Sequence, residues 1–426
     1  MAACAVAASL LLATLLARQA AAELLPPLPV APLLAEAPWR CRGPATGEHL
    51  PSLELAALWG DPPAANHTVT LVTQLTVDRL GMLENQCTTW TLPLVAAIYV
   101  PVTGQQVLGS TASTAATVEL LQGHLAAFHR RMQQEAQCQL RLALFTEEQA
   151  ADSADAFHPI NALRNRGLQL AVTEAVLVLD VDFIVSEELI AELAIEEGWE
   201  ALARRIRAGS AVVLPAFETP FDATGAWRLE HPPEAGRAVA FQAQAGGKQA
   251  AVQSFRNGTL LVFKTAEGGT FYEPTQFKRW AQSDDFYPIS YTPSYEPDMI
   301  LARALHPWYD ERFAGYGWDK MGLPECFFHW GGSFVVHPRG FVVHVPHERS
   351  TTFHASMSDG KKRAYQLREV YTSLRAELEA GSYLPVVSFP ERCSPLPGHS
   401  LRQATMDGSN LPKMQAIQQP MPAAPL

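Results

Sequence analysis

The chain has 426 residues, of which 48% are hydrophobic and 18% charged, so it can bury a large core and is not globally disordered. Its formal net charge of -11 excludes a general nucleic-acid binder, whose phosphate contacts need a basic face. Beyond the N-terminal segment no apolar run reaches the roughly 18 residues of a membrane span, which excludes a polytopic membrane protein.

Residues 1–22 read as a signal peptide or a short signal anchor: an Ala/Leu-rich run, then Arg18, then Ala20, Ala21 and Ala22 as a small-residue cleavage site. The rest of the chain is therefore expected in the secretory pathway, in the Golgi lumen or secreted, with any membrane tether at the N-terminus. Asn66 and Asn257 head Asn-x-Thr triplets, candidate N-glycosylation sites in that compartment. Six cysteines are present, and loss of Cys4 with the leader leaves at most two disulfides and one free thiol. Residues 23–64, rich in Pro and Ala, read as a stem, and residues 384–426 as a mobile Pro-rich tail.

Between them, residues 65–383 read as a single catalytic domain. Residues 68–73 (TVTLVT) predict a strand, followed by a helical pattern carrying Leu80, Leu83 and Trp90. Residues 94–100 predict a second strand, 113–133 a long helix and 140–145 a third strand. Residues 160–171 carry helical spacing, and 175–179 (AVLVL) form an apolar strand buried on both faces. Alternating strands and helices predict an α/β fold: a mostly parallel, Rossmann-like sheet flanked by helices, with ligands at the carboxyl ends of its strands.

The apolar strand runs into Asp180, Val181 and Asp182. In extended geometry side chains two apart share a face, so the two carboxylates are expected to project together and to be held by a hard cation, Mn²⁺ or Mg²⁺. The triplet resembles the nucleotide-sugar metal motif of GT-A glycosyltransferases. His344 ends another strand-like stretch, and an imidazole added to two carboxylates favours Mn²⁺ over Mg²⁺. Lys361, Lys362 and Arg363 form a basic cluster suited to neutralising a diphosphate.

More of the chain carries a likeness. Residues 69–80 (VTLVTQLTVDRL), 158–165 (HPINALRN), 180–183, 213–219 (VLPAFET), 295–297 (YEP), 309–318 (YDERFAGYGW) and 344–347 (HVPH) occur in this order across the core. Together they resemble glycosyltransferase family 49, as in the glucuronyltransferase domain of LARGE-type synthases and β-1,4-glucuronyltransferase.

The resemblance implies a GT-A fold and inverting transfer of glucuronic acid from a UDP-sugar to a glycan or glycoprotein acceptor, with Mn²⁺ held by Asp180, Asp182 and His344. It assigns Gln74, Arg79, Asn161, Arg164 and Asn165 to the donor, and Glu296, Gly315, Tyr316 and Gly317 to the acceptor. Asp319 is the first candidate base and Glu325 the second. Two departures stand out: Asp319 replaces the Asn of family members, and their downstream acid aligns with Cys326, beside Glu325. Residues 222–254 also diverge, a stretch expected to border the acceptor. The competing reading is a GT-A-fold glycan-binding or scaffolding protein without catalysis; a nucleotidyltransferase is disfavoured because no Gly-rich phosphate loop follows the first strand.

Overall fold

The computed structural model describes residues 40–63, 68–103, 106–107, 114–136, 138–149, 157–220, 233–265, 270–348 and 361–393. In chain order the strands are β1 (Glu54–Trp59), β2 (Val69–Thr76), β3 (Pro93–Thr103), β4 (Gln106–Val107), β5 (Gln139–Gln149), β6 (Ala175–Val178), β7 (Phe183–Val185), β8 (Ser210–Leu214), β9 (Ala216–Glu218), β10 (Leu261–Val262), β11 (Tyr287–Ile289), β12 (Asp298–Ala302), β13 (Ser333–Val336) and β14 (Val342–His344). Helices α1 (Leu80–Thr89), α2 (Thr114–Glu135) and α3 (Ile160–Leu170) connect the first parallel strands.

The nucleus is β5-β3-β2-β6, all parallel. β2, β3 and β6 are buried along nearly their whole length and β5 through its middle, which explains their continuous apolar runs. Because β3 and β5 lie to one side of β2 and β6 to the other, the strand order reverses between β2 and β6. A ligand crevice opens outside the carboxyl ends of strands at such a reversal. Beyond β6 the ten-stranded sheet continues through β12, β8, β13 and β11, with β12 antiparallel to both neighbours. In a second sheet, β10-β9-β14-β7, strands β7, β9 and β14 directly follow β6, β8 and β13 in the chain.

Helix α3 lies close on the sheet because Gly167 faces Val72: a Cβ there would come within 2.5 Å of Val72 Cγ1. The helix Glu196–Arg207 shows how the outer layer is specified. Trp199, Leu202, Ala203 and Ile206 form its buried face, with Glu196 and Glu197 in the first turn and Arg204, Arg205 and Arg207 in the last, matching the helix dipole.

The folded body is larger than residues 65–383. Strand β1 pairs antiparallel with β5, Arg42 bridges to Val386, and Val386, Val387 and Phe389 are buried. A disulfide between Cys41 and Cys393 joins the two ends, and a second, Cys87–Cys138, ties α1 to the start of β5. Part of the expected stem and the start of the expected tail are thus structural, held by pairing across more than 340 residues that local composition does not register. Among the described residues Cys326 is the free thiol, and it is buried. Among the described residues no helix is long and apolar enough to cross a membrane; residues 1–22 lie outside them.

Candidate active site

Strand β6 stops at Val178, and the chain turns at Val181 and Asp182, with the Phe183 amide donating to the Asp180 carbonyl (3.1 Å). Gln86 of α1 pins this turn: its buried Nε2 donates to the carbonyls of Asp180 (2.9 Å) and Phe183 (3.0 Å). The extended geometry expected for Asp180 and Asp182 is therefore not realised, and the turn gives the two carboxylates different partners.

Asp182 meets the histidines. Antiparallel pairing of β14 with β7 sets His344 opposite Phe183, and the Val345 amide donates to the Asp182 carbonyl (2.7 Å). Asp182 Oδ2 lies 2.9 Å from His347 Nε2 and 3.4 Å from His344 Nε2. One ligand atom from each of Asp182, His344 and His347 falls within 4.8 Å of the others. Burial opposes the charge on Asp182, yet the two imidazoles hold its carboxyl well below the usual carboxylate range. Its Oδ1 is buried with no hydrogen-bond partner among the described residues. Rings fix the geometry, with Phe183 and Phe263 each 5.3 Å from the His344 ring. Arg79, at the carboxyl end of β2, donates to His347 Nδ1 (2.7 Å) and to the Glu348 carbonyl (2.9 Å). His347 Nδ1 also lies 2.6 Å from the Glu348 carbonyl, so Arg79 and this carbonyl together hold the ring with Nε2 toward Asp182.

Asp180 is not in this group. Its Oδ1 accepts from Arg164 (2.8 Å) and its Oδ2 from Lys320 (2.8 Å). Arg164, buried in α3, spends its other terminal nitrogen on Asp319 Oδ2 (2.7 Å). Burial disfavours the Lys320 ammonium, but Asp180 and Asp298 hold it above its usual range.

Other candidate residues fall elsewhere. Asn161 and Asn165 are not presented to a donor. Asn161 Nδ2 donates to the carbonyls of Asp310 and Asp319, and Asn165 exchanges hydrogen bonds with the Tyr309 backbone and donates to Glu311. They are buried braces for the 309–319 loop, because helix α3 turns this face inward. Glu325, the second candidate base, accepts from Tyr371 and Arg375 through its two oxygens (2.7 and 2.9 Å), which turn it toward the helix Lys361–Glu379. Gln74, at the end of β2, contacts His158 (2.5 Å).

Glu296 pairs with Lys264 (2.8 Å), and Tyr316 is exposed between Gly315 and Gly317, whose φ angles of 93° and 97° suit glycine. Asn257 is exposed, with its side-chain carbonyl accepting from Thr259. Asn66 and the side chains of Lys361, Lys362 and Arg363 lie outside the described residues. Of the divergent stretch, residues from 233 onward lie in the helix Pro233–Arg256, kinked at Gly247.

His347, Lys320 and Gln86 are the site residues that sequence reasoning missed. His347 carried a signal, three positions after His344 at a strand end. Lys320 and Gln86 had none, since neither belongs to a spaced chemical pattern.

Residues 68–379 match the family described as glycosyl-transferase for dystroglycan. The chain belongs to this family. Human xylosyl- and glucuronyltransferase LARGE2 is 29% identical over 290 residues, covering 68% of this chain and 34% of the relative. For human LARGE1 the figures are 28%, 290 residues, 68% and 32%. The chain thus spans about a third of the length of these relatives. Among solved structures, GalNAc-T7 with UDP, GalNAc and Mn²⁺ aligns at a TM-score of 0.36 and 10% identity, over 76% of this chain and 53% of that one. Staphylococcus aureus TarS 1–349 with UDP-GlcNAc aligns at 0.32 and 10%, over 68% and 64%. The α/β fold that the sequence predicts, a sheet with a parallel nucleus flanked by helices, is the one observed. All the residues converging around Asp180 and Asp182 lie inside the matched segment.

Buried histidines give this domain a pH limit. Burial lowers His158 and His306 to about 4 and His337 to about 3. The unfolded chain protonates these rings near pH 6.5, before the folded one does, so stability is full above that pH and drains as pH falls toward 4. Asp298, lifted by burial to about 6, has the opposite sign and offsets part of this. Chemical denaturation between pH 7 and 4 should show a net loss on the order of 5 kcal/mol. A flat profile would show that these rings are not buried as neutral imidazoles.

Proposed function

We propose that the chain is an inverting, metal-dependent glycosyltransferase that moves glucuronic acid from a UDP-sugar to a glycan or glycoprotein acceptor in the Golgi lumen. The observation that carries this reading is the convergence of Asp182, His344 and His347 at the sheet's strand-order reversal, from segments more than 160 residues apart. Family membership supports the reaction class, and the relatives named as xylosyl- and glucuronyltransferases support a UDP-sugar donor.

The residues fit a divalent cation. Two imidazole nitrogens and a carboxylate with one unpartnered buried oxygen form a mixed N/O donor set, which suits Mn²⁺ first and Mg²⁺ second. A cation held there would supply Lewis-acid stabilisation of the departing diphosphate. The protein's own groups do the rest. Arg164 orients Asp180 and Asp319 together. Arg79 and Lys320 bring positive charge to the crevice where diphosphate charge develops. We assign the acceptor proton to Asp319, which stands beside Asp180 through their shared arginine. The acceptor oxygen attacks the anomeric carbon, its proton passes to Asp319, and the bond to the β-phosphate oxygen breaks with inversion.

One observation favours the glycan-binding alternative: Asp319 is ion-paired with Arg164 and both oxygens of Glu325 are taken by Tyr371 and Arg375, so neither of the two candidate bases stands unencumbered. A UDP-release assay separates the two readings, using UDP-glucuronic acid, UDP-xylose and UDP-glucose with a glycan acceptor, with and without Mn²⁺. Mn²⁺-dependent release, highest with UDP-glucuronic acid, is the expected result. Glycan binding with no release from any donor would establish the alternative.

A further inference from the structure

Asp298 begins β12, and because β12 runs antiparallel to β6 this first residue sits at the same edge as the carboxyl end of β6, beside Asp180. Its side chain is almost wholly enclosed: the residue is 2% exposed. Oδ1 lies 3.5 Å from Lys320 Nζ, and Oδ2 has no hydrogen-bond partner among the described residues. Tyr272, also 2% exposed, has an unpartnered hydroxyl, and Asp298 is the foremost charge acting on it. Burial holds that phenol well above its usual range, so it remains a neutral O–H donor.

Protein interiors leave few such atoms unpaired, and two in one neighbourhood point to a missing partner. An aromatic wall joins them to the metal-ligand group: Phe263 lies 5.5 Å from the Tyr272 ring and 5.3 Å from His344, and the Lys320 ammonium stands 5.6 Å from the Phe183 ring. The neighbourhood therefore offers an acceptor (Asp298 Oδ2), two donors (Tyr272 and Lys320) and apolar ring surfaces.

Pyranose rings match that chemistry. Each hydroxyl both donates and accepts, so adjacent hydroxyls satisfy a carboxylate and an ammonium together, while the ring C–H face takes aromatic carbon. We propose that Asp298, Tyr272 and Lys320 form the subsite that holds the hydroxyls of the donor's sugar ring. This assignment rests on the transferase reading above. Lys320 argues for the donor ring over the acceptor ring, because the same ammonium also contacts Asp180, next to the turn that carries Asp182. Asp298 and Tyr272 thus read the sugar, while the residues around Asp182 take the diphosphate.

Calorimetric titration of the full chain with Mn²⁺ and either UDP, UDP-xylose, UDP-glucuronic acid or methyl β-D-xyloside tests this, on wild type, Asp298→Asn and Tyr272→Phe. Affinity for UDP should stay within about twofold. The added affinity of the UDP-sugars over UDP should fall about tenfold in Asp298→Asn and about threefold in Tyr272→Phe, the size expected when a buried polar group loses its partner. Unchanged sugar discrimination in both variants, or an equal loss for UDP itself, overturns the subsite. A loss confined to the methyl xyloside overturns the donor assignment in favour of the acceptor ring. Should Asp298→Asn fail to fold, Tyr272→Phe alone decides. Wild-type protein that binds no UDP removes the transferase reading and this subsite with it, whereas UDP binding with unaltered variants removes only the subsite.

Discussion

Asp182→Asn should lower Mn²⁺-dependent UDP release by on the order of 10³-fold or more, about 4 kcal/mol of transition-state stabilisation. The substitution keeps the shape of the side chain and removes the negative charge that His344 and His347 both face. It replaces one carboxylate oxygen by an N–H donor, which no cation accepts as a ligand. Thermal stability should change little by comparison, because Asp182 is partly exposed and its turn is held mainly by backbone bonds and Gln86. Full release in the variant, measured with UDP-glucuronic acid at saturating Mn²⁺, would remove Asp182 from the chemistry.

Arg164→Met should be the most damaging change to the fold near the site. The guanidinium is enclosed in α3 and neutralises Asp180 and Asp319 through separate nitrogens, while also donating to Asn161 Oδ1. Removing it leaves Asp319 without its cation and Asp180 with Lys320 alone, a loss of about 3–5 kcal/mol for a broken buried pair. In a domain of this size that corresponds to a fall in Tm of about 4–7 °C. Arg164→Lys should recover little, since a single ammonium cannot reproduce the planar fork that spans both acids. Differential scanning fluorimetry reads the stability change and UDP release reads the activity. A fall below about 2 °C for Arg164→Met would show that solvent already screens the pair.

Much of the parallel sheet was legible because its strands are buried on both faces and its helices are amphipathic. Apolar runs at β2, β3, β5 and β6 announce themselves, and the bounds of α2 and α3 follow from periodicity. The antiparallel half was harder. β12 is five residues between loops, and its place between β6 and β8 depends on pairing across more than 80 residues. β1 has several exposed positions, so its sequence reads like the Pro/Ala-rich stem beside it.

The same division runs through the site. Asp182, His344 and Arg79 belong to motifs and were readable as chemistry. Asp180 carried the same signal, but its role depends on where Arg164 and Lys320 reach, which spacing does not encode. Asn161 and Asn165 illustrate the converse: their residue type suggested ligand binding, and burial on the inward face of α3 made them braces instead. Asp298, whose environment alone makes it unusual, gave no hint in the linear chain.

Mn²⁺ binding in the presence of UDP, followed by electron paramagnetic resonance on wild type, Asp182→Asn, His344→Ala and His347→Ala, addresses the central claim without relying on turnover. One ion per wild-type chain, with affinity reduced at least tenfold in each of the three variants, is the predicted result. Wild-type affinity retained in His347→Ala and His344→Ala together would contradict it, because no cation would then be held by the residues this fold brings together.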